Sequence, residues 1–205
     1  MKIAPSELTK YGYELHAQLQ HSDIAAFIQP YIFRKNFASI FYWTFNALVL
    51  ALSLYKIFTC EIGIGESFGK FALGFCLLLP LIPIHELIHG LFYKLDGAPA
   101  VQYKANFKKF IFYAMADQYV TTFYSFVILA IAPFVIINTL LLIGIITTAG
   151  GLSFLFAGAL FMHTAGCAGD FALISYFLEN DSNRLVTYDD ISLGISYFYK
   201  KGNNS

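Results

Sequence analysis

Leu78-Leu79-Pro80-Leu81-Ile82-Pro83-Ile84-His85-Glu86-Leu87-Ile88-His89-Gly90-Leu91-Phe92 sets two histidines and a glutamate inside a run that is otherwise apolar. The H-E-x-x-H spacing puts His85 and His89 at i and i+4, on one face of a helix, so that both imidazoles reach one metal ion. Glu86, beside His85 in the chain, is placed to handle an activated water. The ion this pattern implies is zinc, Zn2+. Ionisable groups are costly in an apolar span unless something compensates them, which makes the run read as a functional site. A structural His/Glu hydrogen-bond cluster tying helices together is the plainer alternative.

The composition agrees with a membrane setting. The 205 residues are 58% hydrophobic and 13% charged, where soluble domains carry roughly a quarter charged residues. Formal net charge is zero, so no basic excess exists to recruit nucleic acid, and that class of partner is excluded. Cys60, Cys76 and Cys167 form no C-x-x-C and no paired framework; they read as small apolar fillers rather than as disulfides or a thiolate zinc cage. No apolar run precedes Phe37, so the first span, not a cleavable signal peptide, is expected to direct insertion.

Four apolar segments, about 37–58, 68–94, 120–148 and 151–178, are each long enough to cross a bilayer, which takes about 20 residues. The expected fold is an all-α membrane protein, one domain over 1–205, with four transmembrane helices and a small cytoplasmic-side β-hairpin between the second and third. Pro80 and Pro83 predict a kink just before the H-E-x-x-H. The short Thr147–Gly151 link predicts that segments three and four form an antiparallel pair. With both termini in the cytoplasm, all thirteen Lys and Arg except Lys56 and Lys70 fall on the inner side, which is the positive-inside pattern and puts the histidines in the cytoplasmic half of the membrane. Residues 11–35 (Tyr13, Leu15, Leu19, Ile24, Ala25, Phe27, Ile28) read as a partly amphipathic helix on the inner surface, broken at Pro30. Between 95 and 119, Val101, Tyr103, Ala105 and Phe107 alternate with polar positions. Phe110 to Ala114 form a second β-prone run, with a turn at Asn106 to Lys109. Such a hairpin beside the metal helix is either an ordinary interfacial element or an edge able to take an extended peptide as a further strand.

Catalytic zinc sites normally use three protein ligands and leave one position for water, so a third must come from elsewhere. His163, Cys167 and Asp170 lie at i, i+4 and i+7 of segment four, along one stripe flanked by Gly166 and Gly169. Asp170 is the first choice, since a carboxylate at the end of an apolar run needs a cation, and its depth matches that of His89. His163 is the runner-up and Cys167 the third. With Asp170 as ligand, His163 is left to orient a water or an outer group, and a solvated helix-end aspartate is the plain reading of Asp170. Glu86 is then the general base of peptide-bond hydrolysis by a zinc-activated water. Asn106, Tyr113 and His163 are candidates to support the developing oxyanion. His16 and His21 read as exposed surface histidines, and Tyr197 to Lys201 as a strand-like end.

His85 to Gly90 (H-E-L-I-H-G), Tyr113-Ala114, Ala132-Pro133 and the Gly166-Cys167-Ala168-Gly169-Asp170 run together resemble a family of small bacterial membrane proteins described as zincin-type peptidases. The resemblance covers roughly residues 70–178. That family is similar in plan to site-two proteases, whose third zinc ligand is an aspartate from a later transmembrane helix, and the likeness implies the same role for Asp170. The chain lacks the N-P-x-x-x-L-D-G run and the PDZ domain of site-two proteases, so cleavage at the cytoplasmic surface stands beside cleavage within the membrane. The resemblance implies a multi-pass metallopeptidase of a bacterial inner or plasma membrane, with a peptide or membrane-protein substrate and membrane lipid as partners. A zinc-binding regulator or partner-binding subunit without turnover is the alternative. A proton or metal transporter is a third reading, made less natural by the absence of an internal repeat.

Overall fold

The computed structural model describes residues 3–106 and 111–202. A short α1 (Ile24–Ile28) precedes α2 (Phe37–Thr59), whose start is capped by the Asn36 side chain accepting the Ser39 N–H at 3.3 Å. The second apolar stretch, Ile64–Leu95, is long enough to cross a membrane but is not one helix. It consists of α3 (Ile64–Gly74), a 3-10 turn at Phe75–Leu77 and α4 (Leu78–Leu95). The irregularity thus falls ahead of both prolines. Pro80 has no N–H to offer the Cys76 carbonyl and sits in the first turn of α4, where a missing N–H costs no helical bond. Pro83 is carried inside α4.

The third span is the single helix α5 (Phe123–Thr147), and the fourth, Gly151–Glu179, is again two helices, α6 (Gly151–Gly166) and α7 (Ala168–Glu179), meeting at Cys167. The break leaves carbonyls to satisfy at membrane depth. Tyr42 of α2 donates its hydroxyl to the Ala165 carbonyl at 2.9 Å, and the Cys167 N–H reaches back to the His163 carbonyl at 3.2 Å.

Two glycines clamp the second span to the fourth. A Cβ on Gly74 would lie 2.8 Å from the Ala159 nitrogen, and one on Gly158 would lie 2.8 Å from the Phe71 carbonyl carbon. Both obstacles are backbone, so only glycine lets α3 and α6 approach this closely, as small residues do at membrane helix contacts. Gly158→Leu is therefore expected to lower the melting temperature in detergent, with a cost at or above the roughly 1–3 kcal/mol of ordinary overpacking. Gly69→Ala, on a part of α3 with nothing within 4 Å, is the control and should match or exceed the wild type. Outward, Phe37, Ile40, Leu52 and Tyr55 of α2 and Leu140 and Ile146 of α5 are exposed, an apolar surface suited to lipid tails.

The all-α expectation needs correction. β1 (Tyr13–Gln20), β4 (Thr121–Thr122), β5 (Leu185–Asp190) and β6 (Ile195–Lys201) form an antiparallel sheet in the order β1-β6-β5-β4, while β2 (Gln102–Asn106) and β3 (Ile111–Met115) form a separate hairpin. Residues 13–20, expected as part of an amphipathic helix, are strand. Leu15, Ala17 and Leu19 alternate with polar residues, and the segment pairs with β6 from Tyr13↔Lys201 to Gln20↔Ile195. Leu19 is buried in a core with Tyr176, Phe177 and Phe198. A partner strand at the opposite end of the chain outweighs the local pattern. The expected hairpin turn at Asn106 to Lys109 falls mostly on residues 107–110, outside the described residues. Short connections place both sheets at the end of the helices where α2 and α5 begin and α4 and α7 finish.

Candidate metal centre

α4 presents His85 and His89 one turn apart, and α7 presents Asp170 in its first turn. A carboxylate there is favoured by the unpaired N–H groups and positive end of the helix. His85 Nε2 lies 3.2 Å from one oxygen of Asp170, and His89 Nε2 lies 3.3 Å from the other. The three side chains offer ligand atoms within 4.8 Å of one another, as does a second group, His85, His163 and Cys167. Zinc bonds of about 2.0–2.1 Å at tetrahedral angles separate ligand atoms by about 3.3 Å, so the first group has the spacing of a zinc site.

The donor set makes the same point through its protons. His89 Nδ1 lies 3.0 Å from the Leu129 carbonyl, which only accepts, so the ring hydrogen is on Nδ1. With that hydrogen on Nδ1, a neutral His89 would turn the Nε2 lone pair toward a carboxylate oxygen, as a ligand to a cation held between them. On the other ligand, His85 Nδ1 is 3.2 Å from His163 Nε2, and His163 Nδ1 is 2.7 Å from Asn138 Oδ1. If His85 gives Nε2 to the metal, its Nδ1–H donates to His163, and His163 donates in turn to Asn138. The residues present fit zinc.

Glu86 accepts a hydrogen bond from the Ala114 backbone of β3, while its Oε2 is buried without a partner among the described residues. Tyr103 of β2 lays the end of its side chain against Gly90, where a Cβ would lie 2.7 Å from the tyrosine Cζ. A cavity of about 280 Å³ is bounded by Glu86, His89 and Asp170 on one side and by Phe112 to Met115 of β3 on another. A second, of about 260 Å³, touches His85, Glu86 and His163 between α4 and α6.

The far wall of the larger cavity carries a correction. His21, expected as an exposed surface residue, is buried at 9% exposure; its Nε2 lies 3.2 Å from Ser196 Oγ, which donates to Asp189 Oδ1 at 2.5 Å. The end of β1 carries it there, through the long-range pairing with β6 that replaces the expected helix. His16 is exposed, 3.0 Å from Asn180. Tyr113 also lines the cavity; burial pushes its hydroxyl up, so it stays protonated and able to donate. Of the expected site residues, His85, His89, Asp170, Glu86 and His163 come together, Cys167 lies on the His163 side, and nothing is described of the Asn106 side chain.

Two contributors are not among the residues expected from sequence. Asn138 is visible there as a lone amide in the apolar third segment. The Leu129 carbonyl carries no side-chain signal, although Pro133 four residues on leaves it without its helical donor. Replacing His163 by Leu, which removes the acceptor for His85, is expected to weaken zinc binding about 10- to 100-fold in chelator competition.

The chain has four helical stretches of membrane length, and an H-E-x-x-H helix in one of them meets a carboxylate from another. It belongs to the family described as "putative zincin peptidase", which matches residues 78–184, just over half of the chain and the whole of the centre described above. No curated protein and no solved structure matches it.

Proposed function

We propose that the protein is an integral membrane zinc metallopeptidase in which His85, His89 and Asp170 hold the metal and Glu86 is the general base. The observation that carries this reading is the meeting of three ligand groups from two spans beside a half-buried glutamate, one of whose oxygens is buried without a partner among the described residues. Zinc held there would supply a Lewis acid to polarise a peptide carbonyl and to make water a nucleophile near neutral pH. Glu86 Oε2 takes the proton of that water and delivers it to the leaving amine, while the Ala114 backbone holds the other oxygen in place. Four consecutive residues of β3 border the cavity. Alternate residues of a strand face opposite ways, so it is the edge of β3, opposite β2, that meets the space, and an extended peptide adds there as a further strand. Tyr113, which lines the cavity, is the candidate donor to the developing oxyanion. The basic residues argue for a cell-membrane protein with both termini and the cavity mouth on the cytoplasmic side.

The test is hydrolysis of a mixed peptide library by the purified full chain in detergent. Cleavage that stops on chelation and returns with zinc is the expected result. Zinc bound at full occupancy with no peptide cut at any composition would favour a metal-binding regulator instead.

A further inference from the structure

We infer that Pro133, in the middle of the third span, is a positioning residue for the metal centre: by withholding a backbone N–H it reserves the Leu129 carbonyl for His89. In a regular helix the N–H of residue 133 would bond the carbonyl of residue 129. Proline has no N–H and crowds that carbonyl, an arrangement that normally breaks or bends a helix. Here α5 runs through Pro133 from Phe123 to Thr147. The carbonyl it frees is the one 3.0 Å from His89 Nδ1. Pro133 is among the most completely buried side chains, so it is not a lipid-facing irregularity. Leu129 itself is buried in a cluster with Tyr93 and Ala116.

The consequence is a fixed tautomer. With Leu129 able only to accept, His89 keeps its hydrogen on Nδ1 and turns the Nε2 lone pair toward Asp170, 3.3 Å away. A ligand's outer hydrogen bond sets both ring orientation and tautomer, and its loss typically weakens metal binding 10- to 100-fold. The third span thus serves both imidazoles, His89 through a proline-freed carbonyl and His85 through His163 and Asn138.

The proposal rests on His89 being a zinc ligand, and the experiment separates the two. Pro133→Ala restores an N–H that competes for Leu129. In the full chain in detergent, zinc affinity by chelator competition should fall about 10- to 100-fold, while the melting temperature of the metal-free protein stays the same or rises, because a helical hydrogen bond has been regained. A residue that merely supported the fold would move both quantities downward. Replacing Pro133 with lactic acid by nonsense suppression gives an ester that again has no N–H, and should bring zinc affinity back toward wild type. Should Pro133→Ala prove insoluble, the lactic acid variant and nitrogen-15 histidine spectra of the zinc-loaded wild type decide the matter; a His89 hydrogen on Nδ1, bonded to a carbonyl, is expected. Zinc affinity unchanged in Pro133→Ala, or failure of the ester to restore it, overturns the proposal alone. A wild-type chain that takes up no zinc overturns the metal reading and the proposal together.

Discussion

Glu86→Gln in the full chain is expected to reduce peptide hydrolysis by about 10²- to 10⁴-fold, the usual contribution of a positioned general base, with zinc still bound at the wild-type level. Glutamine preserves the shape of the side chain and its acceptor oxygen for the Ala114 backbone hydrogen bond. What it removes is the ability to take a proton at Oε2, the buried oxygen without a partner among the described residues. Because Glu86 is not in the His85, His89 and Asp170 set, metal content should not follow the rate. The change should appear in kcat more than in KM, since the lost interaction is one made in the transition state. Equal turnover by wild type and Glu86→Gln would remove the glutamate from the mechanism. Absence of turnover in both, with zinc bound, would turn the reading toward a regulator that holds metal for structure.

How far the chain discloses its fold depends on the range of the interaction that fixes each part. The four membrane-length stretches are legible because lipid acts on every residue of a span alike, and a continuous apolar run is enough to specify one. Their internal breaks are only half legible. Pro80 and Pro83 announce an irregularity, yet the 3-10 turn forms at Phe75–Leu77, and the interruption at Cys167 has no proline to mark it, only Gly166 and Gly169. The four-stranded sheet is the least legible part. β1 and β6 are separated by nearly the whole chain, and the alternation of Leu15, Ala17 and Leu19 is short enough to be absorbed into a helical pattern. His21 misleads for the same reason, since its burial is a property of the sheet and not of its neighbours in sequence. The centre itself divides along the same line. His85, Glu86 and His89 follow from local spacing and Asp170 from the cost of a carboxylate in lipid, whereas the Leu129 and Ala114 backbone groups emerge only from three-dimensional contact.

Asp170→Asn is expected to have the largest effect on the metal, with zinc affinity falling well over 100-fold, more than about 2.8 kcal/mol at about 1.4 kcal/mol per decade. An amide oxygen carries no charge to set against the ion, while His85 and His89 remain 13% and 8% exposed and unable to recruit bulk water freely. The fold should tolerate the change. Asp170 sits in the first turn of α7, where losing the negative charge costs about 0.3–1 kcal/mol of helix-end stabilisation, so helical content by circular dichroism should hold. Comparison with His163→Leu then ranks the two fourth-span candidates. If Asp170 is the ligand and His163 acts through His85, zinc binding falls further in Asp170→Asn than in His163→Leu, and hydrolysis disappears in the first while surviving in the second at saturating zinc. The reverse order would move the metal to the neighbouring group of His85, His163 and Cys167. Asp170 would then be a counter-ion to His89 at the head of α7, and Glu86 would have to serve a water on the α6 side, where the smaller cavity touches it.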